Sequence, residues 1–207
     1  INIPSRGARV KAIVSTLGTF NPLNALNSSP SGVLRECHRP YPLWLNFLWY
    51  QAIWFVAVLG GESAVAVVGS MLLLHIFWAP NRVSELWFMT IVAGIGITID
   101  SIVTLVGIMQ FAENAGPLPI PLWLTCIWLA FAGTLRYSMN FVMARPSLAI
   151  VLGLIFAPLT YIAGERLGAV EFSYSVTHTA CVLGMCWACL MVLFTEIWSC
   201  FHQADEP

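Results

Sequence analysis

Apolar residues fall along this chain in long blocks, separated by short segments rich in Gly, Pro, Asn, Arg and Glu. The blocks run from Leu43 to Leu59, Ser63 to Ala79, Leu86 to Phe111, Pro121 to Met143, Leu148 to Ala163 and Val176 to Ser199. At about 1.5 Å per residue each is of the order needed to cross a hydrocarbon core ~30 Å thick. Between them lie chain-turning segments: Gly60-Gly61-Glu62, Pro80-Asn81-Arg82, the breaker-rich Glu113 to Pro119, Arg145-Pro146-Ser147, and Gly164 to Ser175. Tyr41, Trp44, Trp49 and Tyr50 cluster at the head of the first block like an interfacial aromatic belt. Pro158 lies inside the fifth, where its missing N–H should kink a helix.

The pattern predicts an all-α integral membrane protein, a compact bundle of six transmembrane helices over residues 41–200. A basic, loosely ordered arm, residues 1–40, precedes it, and a short acidic tail, residues 201–207, follows. Composition agrees: 58% of the residues are hydrophobic, 9% are charged, and mean hydropathy is +0.80, whereas soluble domains carry roughly 25% charged residues. Charge then supplies an orientation. Arg6, Arg9, Lys11, Arg35 and Arg39 in the arm, Arg82 after the second block and Arg145 after the fourth fall on one side. The other loops offer only Arg166, so both termini should face the cytoplasm. The six cysteines fall mostly within the apolar blocks, which argues against a disulfide framework.

Polar residues inside the blocks are the candidate chemistry. Asp100 stands in the middle of the third, where an isolated carboxylate costs several kcal/mol and must be paired, hydrated or protonated. Gly96, Asp100, Thr104 and Gly107 share a helical face whose small residues suit contact with protein. Ala132, Gly133, Arg136 and Asn140 form a similar stripe on the fourth block, making Arg136 the natural partner of Asp100, although an offset of about 10 Å along the axis would equally let Arg136 snorkel toward the cytoplasm with Asn140 and leave Asp100 to others. Such a pair either fixes helix packing or serves a substrate or proton site. His75, Gln51 and Asn46, with Arg136 and Asn140, could line a polar pocket toward the inner leaflet. His178, Cys181, Met185 and Cys189 follow one face of the last block, but the stripe runs about 16 Å along the axis, which leaves a metal ion two of them at most. No nucleophile with a base, histidine-rich metal box or phosphate-cradling glycine loop appears. No cofactor is implied, and the arm's basic residues do not argue for nucleic acid.

Pro42-Leu43-Trp44-Leu45 with Trp49 is echoed by Pro121-Leu122-Trp123-Leu124 with Trp128. The echo fades beyond those positions, so an inverted repeat has only this support. Together with Leu45-Asn46-Phe47-Leu48-Trp49-Tyr50-Gln51, Asp100-Ser101, Thr134-Leu135-Arg136-Tyr137-Ser138 and Pro158-Leu159-Thr160-Tyr161-Ile162-Ala163-Gly164, the chain resembles a family of bacterial inner-membrane proteins classed as domain of unknown function 2878. The resemblance covers about Leu43 to Ser199. It implies a multi-span protein of the bacterial inner membrane with no established activity or catalytic residues, and softly a role beside lipid-modifying enzymes. Two expectations follow. In one, a lipid or other amphiphile sits in an intramembrane polar pocket with Asp100, Arg136, Asn140, His75 and Gln51 as its binding residues, Arg136 and His75 meeting an anionic head group while aromatic walls hold the chain, in a protein working with membrane lipids and with a membrane-protein partner or as a homodimer. In the other, a small transporter moves a proton on Asp100.

Overall fold

A computed structural model describes residues 42–111 and 117–205, within the unit His38–Pro207. The basic arm and part of the Glu113 to Pro119 segment lie outside the described residues. Six long helices carry the fold: α1 (Leu43–Gly60), α2 (Val65–Trp78), α3 (Arg82–Leu105), α4 (Leu122–Arg136), then, after the one-turn α5 (Asn140–Met143), α6 (Pro146–Arg166) and α7 (Val176–Asp205). Four helical stretches are long and apolar enough to cross a membrane: Leu43–Trp78, Arg82–Leu105, Pro146–Arg166 and Val176–Gln203; Leu122–Arg136 is apolar but shorter.

The first of those stretches is folded back on itself. Gly61 adopts φ +54°, a conformation that ends α1, and a 3-10 turn over Gly61–Ala64 leads into α2. Trp49 and Trp78 consequently meet with ring centroids 6.1 Å apart, where one straight helix would separate them by about 43 Å. Further pairings fix the alternation of the chain. Ser138 bonds Asn46, Leu122 bonds Glu62, and Trp128 bonds Asp100, so α4 runs antiparallel to both α1 and α3.

One end of the bundle therefore gathers Asn46, His75, Arg82, Glu85, Arg136 and Arg145, and the other gathers Glu62, Arg166 and Glu171. At that second end α3 and α6 stop in the same way. Gly107 at φ +77° and Gly168 at φ +76° each turn the chain while the following residue bonds back across the turn, Ile108 N–H to Val103 and Ala169 N–H to Gly164. The freed segments then pair as an antiparallel two-residue ribbon, β1 (Met109–Gln110) with β2 (Glu171–Phe172). The apolar run expected to stay helical to Phe111 thus ends at Leu105, because Gly107 offers a cap that the hydropathy of Ile108 and Met109 does not reveal.

α4 is the core element. Ten of its fifteen residues are buried, among them Trp123, Trp128, Phe131 and Leu135. It also stops earlier than the apolar pattern suggests. Arg136 is its last residue, where a cation suits the helix dipole, and Asn140 belongs to the separate α5. Packing of α6 on α7 rests on small residues. A Cβ on Gly153 would come within 2.5 Å of Met191, and one on Gly184 within 3.0 Å of the Leu154 carbonyl. That carbonyl lies four residues before Pro158, whose ring has no N–H to give it, so Gly184 brings the neighbouring backbone to an otherwise unfilled acceptor. At the C-terminus α7 continues into the expected acidic tail as far as Asp205.

Candidate functional site

Three features occupy the interior: a carboxylate joint at mid-height, an ionic cluster at the Arg136 end, and an apolar groove beside them. The joint is built on Asp100, 1% exposed. Trp128 Nε1 donates to its Oδ2 at 2.7 Å, and the Tyr161 hydroxyl donates to Oδ1 and Oδ2 at 2.7 and 2.9 Å. α3, α4 and α6 thus converge on one side chain. Trp187 of α7 stacks on Trp128 with centroids 4.9 Å apart and planes within 10°. Gly96, one turn before Asp100, is required by this geometry, since any Cβ there would overlap the Trp128 indole.

The ionic cluster centres on Glu85, also 1% exposed. Its Oε1 lies 3.1 Å from His75 Nε2. Its Oε2 lies 3.2 Å from Arg136 Nη1 and accepts from the Tyr137 hydroxyl at 3.2 Å. Arg136 also donates to Ser84 Oγ at 3.2 Å and packs over the Phe88 ring. Gly133 makes room for the histidine, His75 Nε2 lying 2.8 Å from where a Cβ would stand. Beside it, buried Asn46 accepts from the Ser138 backbone N–H and hydroxyl at 3.3 and 2.8 Å.

The structure corrects the expected pairing of Asp100 with Arg136. Arg136 lies eight residues from Trp128 along α4, a rise of about 12 Å, and is held by Glu85. Glu85 stands one residue before the apolar run that begins at Leu86, and the hairpin of α2 and α3 buries it. Of the other candidates, His75 joins the Glu85 cluster, while Asn140 opens α5 and Gln51 lies half-buried on α1, and neither takes part in the two polar centres. His178, Cys181 and Met185 are exposed along α7, and among the described residues no group of His, Cys, Asp and Glu is placed to hold a metal ion.

The groove, about 400 Å³, lies between α1 and α6 against α4 and α7. Tyr50 and Trp54 form one wall, Gly153, Ala157 and Tyr161 the other, with Phe131 and Trp187 behind. Along α6 it reaches from Leu152 to Gly164 and along α1 from Phe47 to Val58, a length of about 16–18 Å. Its rims are open: Phe47 is 50% and Phe156 59% exposed. None of Asp100, Arg136, Asn140, His75 and Gln51 lines it, but Tyr161 connects it directly to Asp100.

A family described as protein of unknown function (DUF2878) matches residues 43–193. The chain belongs to that family. The part shared with DUF2878 contains the Asp100 joint, the Glu85 cluster and every residue of the groove. No curated protein and no solved structure matches the chain, so DUF2878 membership brings no residue roles, and roles must come from the geometry.

Proposed function

We propose that this DUF2878 protein holds the apolar chain of a membrane lipid in the groove between α1 and α6. The observation that carries the reading is the groove itself, apolar and aromatic along its length and open at its rims on faces that bear large exposed hydrophobic side chains. Its volume is within the usual range for a ligand site, and its length is about half the thickness of a bilayer core. A lipid chain entering sideways exchanges contact with other chains for contact with fixed aromatic walls.

In this reading all six long helices lie in the bilayer of a bacterial inner membrane, with the Arg82, Arg136 and Arg145 end toward the cytoplasm. The protein holds lipid for a membrane enzyme that modifies it. Head-group binding by His75 and Arg136 is not part of the proposal, because both engage Glu85.

Mass spectrometry of protein purified in detergent tests the reading. Lipid is expected to remain bound, and Ala157→Trp, which fills the groove, should release it. Absence of retained lipid, with proton-dependent uptake abolished by Asp100→Asn, would overturn it in favour of transport.

A further inference from the structure

The charges at the two mouths of the groove narrow the lipid it takes. No Lys, Arg, His, Asp or Glu is among its lining residues, so a charged head group drawn inside would lose its water with no countercharge. Such a head stays at a mouth, and the two mouths differ in sign.

At one end the lining is supplied by Ser138, Met139, Phe141 and Val142. Arg145 follows and folds back on two of these residues. Its backbone N–H donates to the Val142 carbonyl at 2.9 Å, and its Nη1 donates to the Phe141 carbonyl at 3.4 Å. The side chain is exposed, and its remaining guanidinium donors meet no acceptor among the described residues. Arg136, by contrast, is held by Glu85, and Arg82 lies over Phe77 on the α2–α3 turn, away from the groove lining.

At the other end the lining runs through Gly164 and Val170, and the residue after each is an acid, Glu165 and Glu171. Glu62 stands at the same end, taking the Leu122 N–H, and among the described residues Arg166 is the one Lys or Arg beside these three acids. An anion is therefore drawn to the Arg145 mouth and repelled from the other. A head group held there needs one chain about half a bilayer core long, which is the groove's length of about 16–18 Å. The open rims, where Phe47 and Phe156 are exposed, leave a second chain of the same molecule outside.

Resting on the lipid-groove reading, we infer that the occupant is an anionic phospholipid, with one acyl chain in the groove and its phosphate against the Arg145 guanidinium. Arg145 selects the head group, and the acids of the far mouth set the direction in which the chain lies.

The test places the full chain in nanodiscs of equimolar dioleoyl-phosphatidylglycerol, dioleoyl-phosphatidylcholine and dioleoylglycerol with added oleate, releases it into mild detergent, and reads the retained lipids by native mass spectrometry. Phosphatidylglycerol should be retained about fivefold over the zwitterionic and uncharged lipids, the effect of one basic residue on an anionic lipid. Arg145→Gln should bring that ratio below about twofold without lowering retention of dioleoylglycerol, and Arg145→Lys should keep it. Arg82→Gln, which removes a charge from the same end but not from the mouth, should leave it unchanged. Equal retention of the three lipids, a preference that survives Arg145→Gln, an equal loss in Arg82→Gln, or oleate retained in place of phosphatidylglycerol would overturn this inference and leave the lipid groove standing. Retention of no lipid, with Ala157→Trp indistinguishable from the parent, would defeat the groove reading itself.

Discussion

Removing the Asp100 carboxylate should loosen the bundle more than removing either of its donors. Asp100→Ala leaves Trp128 Nε1–H and the Tyr161 hydroxyl without their acceptor, and Asp100 is 1% exposed. A stranded buried donor costs about 1–3 kcal/mol, so the pair sets a range of about 2–6 kcal/mol. Hydrogen bonds between membrane helices average only ~0.6 kcal/mol and reach ~1.7 by double-mutant cycles, which favours the low end, about 2–3 kcal/mol. Tyr161→Phe removes a donor but leaves Asp100 bonded to Trp128, and about 1 kcal/mol is expected. The coupling between Asp100→Asn and Tyr161→Phe should come to about 1–1.5 kcal/mol, because both carboxylate oxygens accept from one hydroxyl. Unfolding in mixed detergent micelles, followed by tryptophan fluorescence, measures all three quantities. Asp100→Ala within about 0.5 kcal/mol of the parent, or a coupling under about 0.3 kcal/mol, would refute the view that this carboxylate joins the helices.

Glu85→Ala should be among the most damaging single changes, about 3–5 kcal/mol in the same unfolding assay, because Arg136 is left near-buried without its carboxylate; adding Arg136→Met should recover part of that loss. Gly96→Val drives a side chain into the Trp128 indole and should cost about 1–3 kcal/mol and shift the near-ultraviolet circular dichroism of the stacked tryptophans; an unchanged spectrum would argue against the close approach. Glu62→Ala removes the acceptor of the Leu122 N–H, 2.8 Å away at the head of α4, and should lower stability by about 0.5–2 kcal/mol, as loss of a helix cap does. Ser147→Cys should react with an impermeant maleimide from the cytoplasmic side and Ser173→Cys from the opposite side; the reverse pattern would invert the proposed topology.

Much of this architecture is readable from hydropathy. Helix positions follow from the apolar blocks, and the hairpin turns from Gly61 and Pro80. The stripe of Gly96 and Asp100 faces protein as its small residues require. Hydropathy could not reveal how the polar residues pair. Arg136 and Asp100 both interrupt apolar runs on neighbouring helices, but an acid outside its run, Glu85, is the one in contact with Arg136. Its signal was present: His75 and Glu85 stand five residues either side of Pro80, so a tight hairpin sets them opposite one another. The donors to Asp100 were concealed for a different reason. Trp128 and Tyr161 are counted among the hydrophobic residues, yet each carries one polar atom that must find a partner when buried. The groove could not be read at all, since it is defined by where α1 and α6 fail to meet.

α4 spans only about 22 Å, less than the ~30 Å core of a bilayer, and both its ends are finished by residues outside it: Glu62 takes the first N–H, and Glu85 takes the guanidinium of the last residue. During synthesis those two acids leave the ribosome before α4 does. In the proposed bilayer placement, α4 would then dock onto hairpins of α1 to α3 that are already made. A chain truncated before Leu122 should still insert; α4 without its predecessors should stay at the interface. The order of the chain thus places α4 after both of the acids that finish its ends.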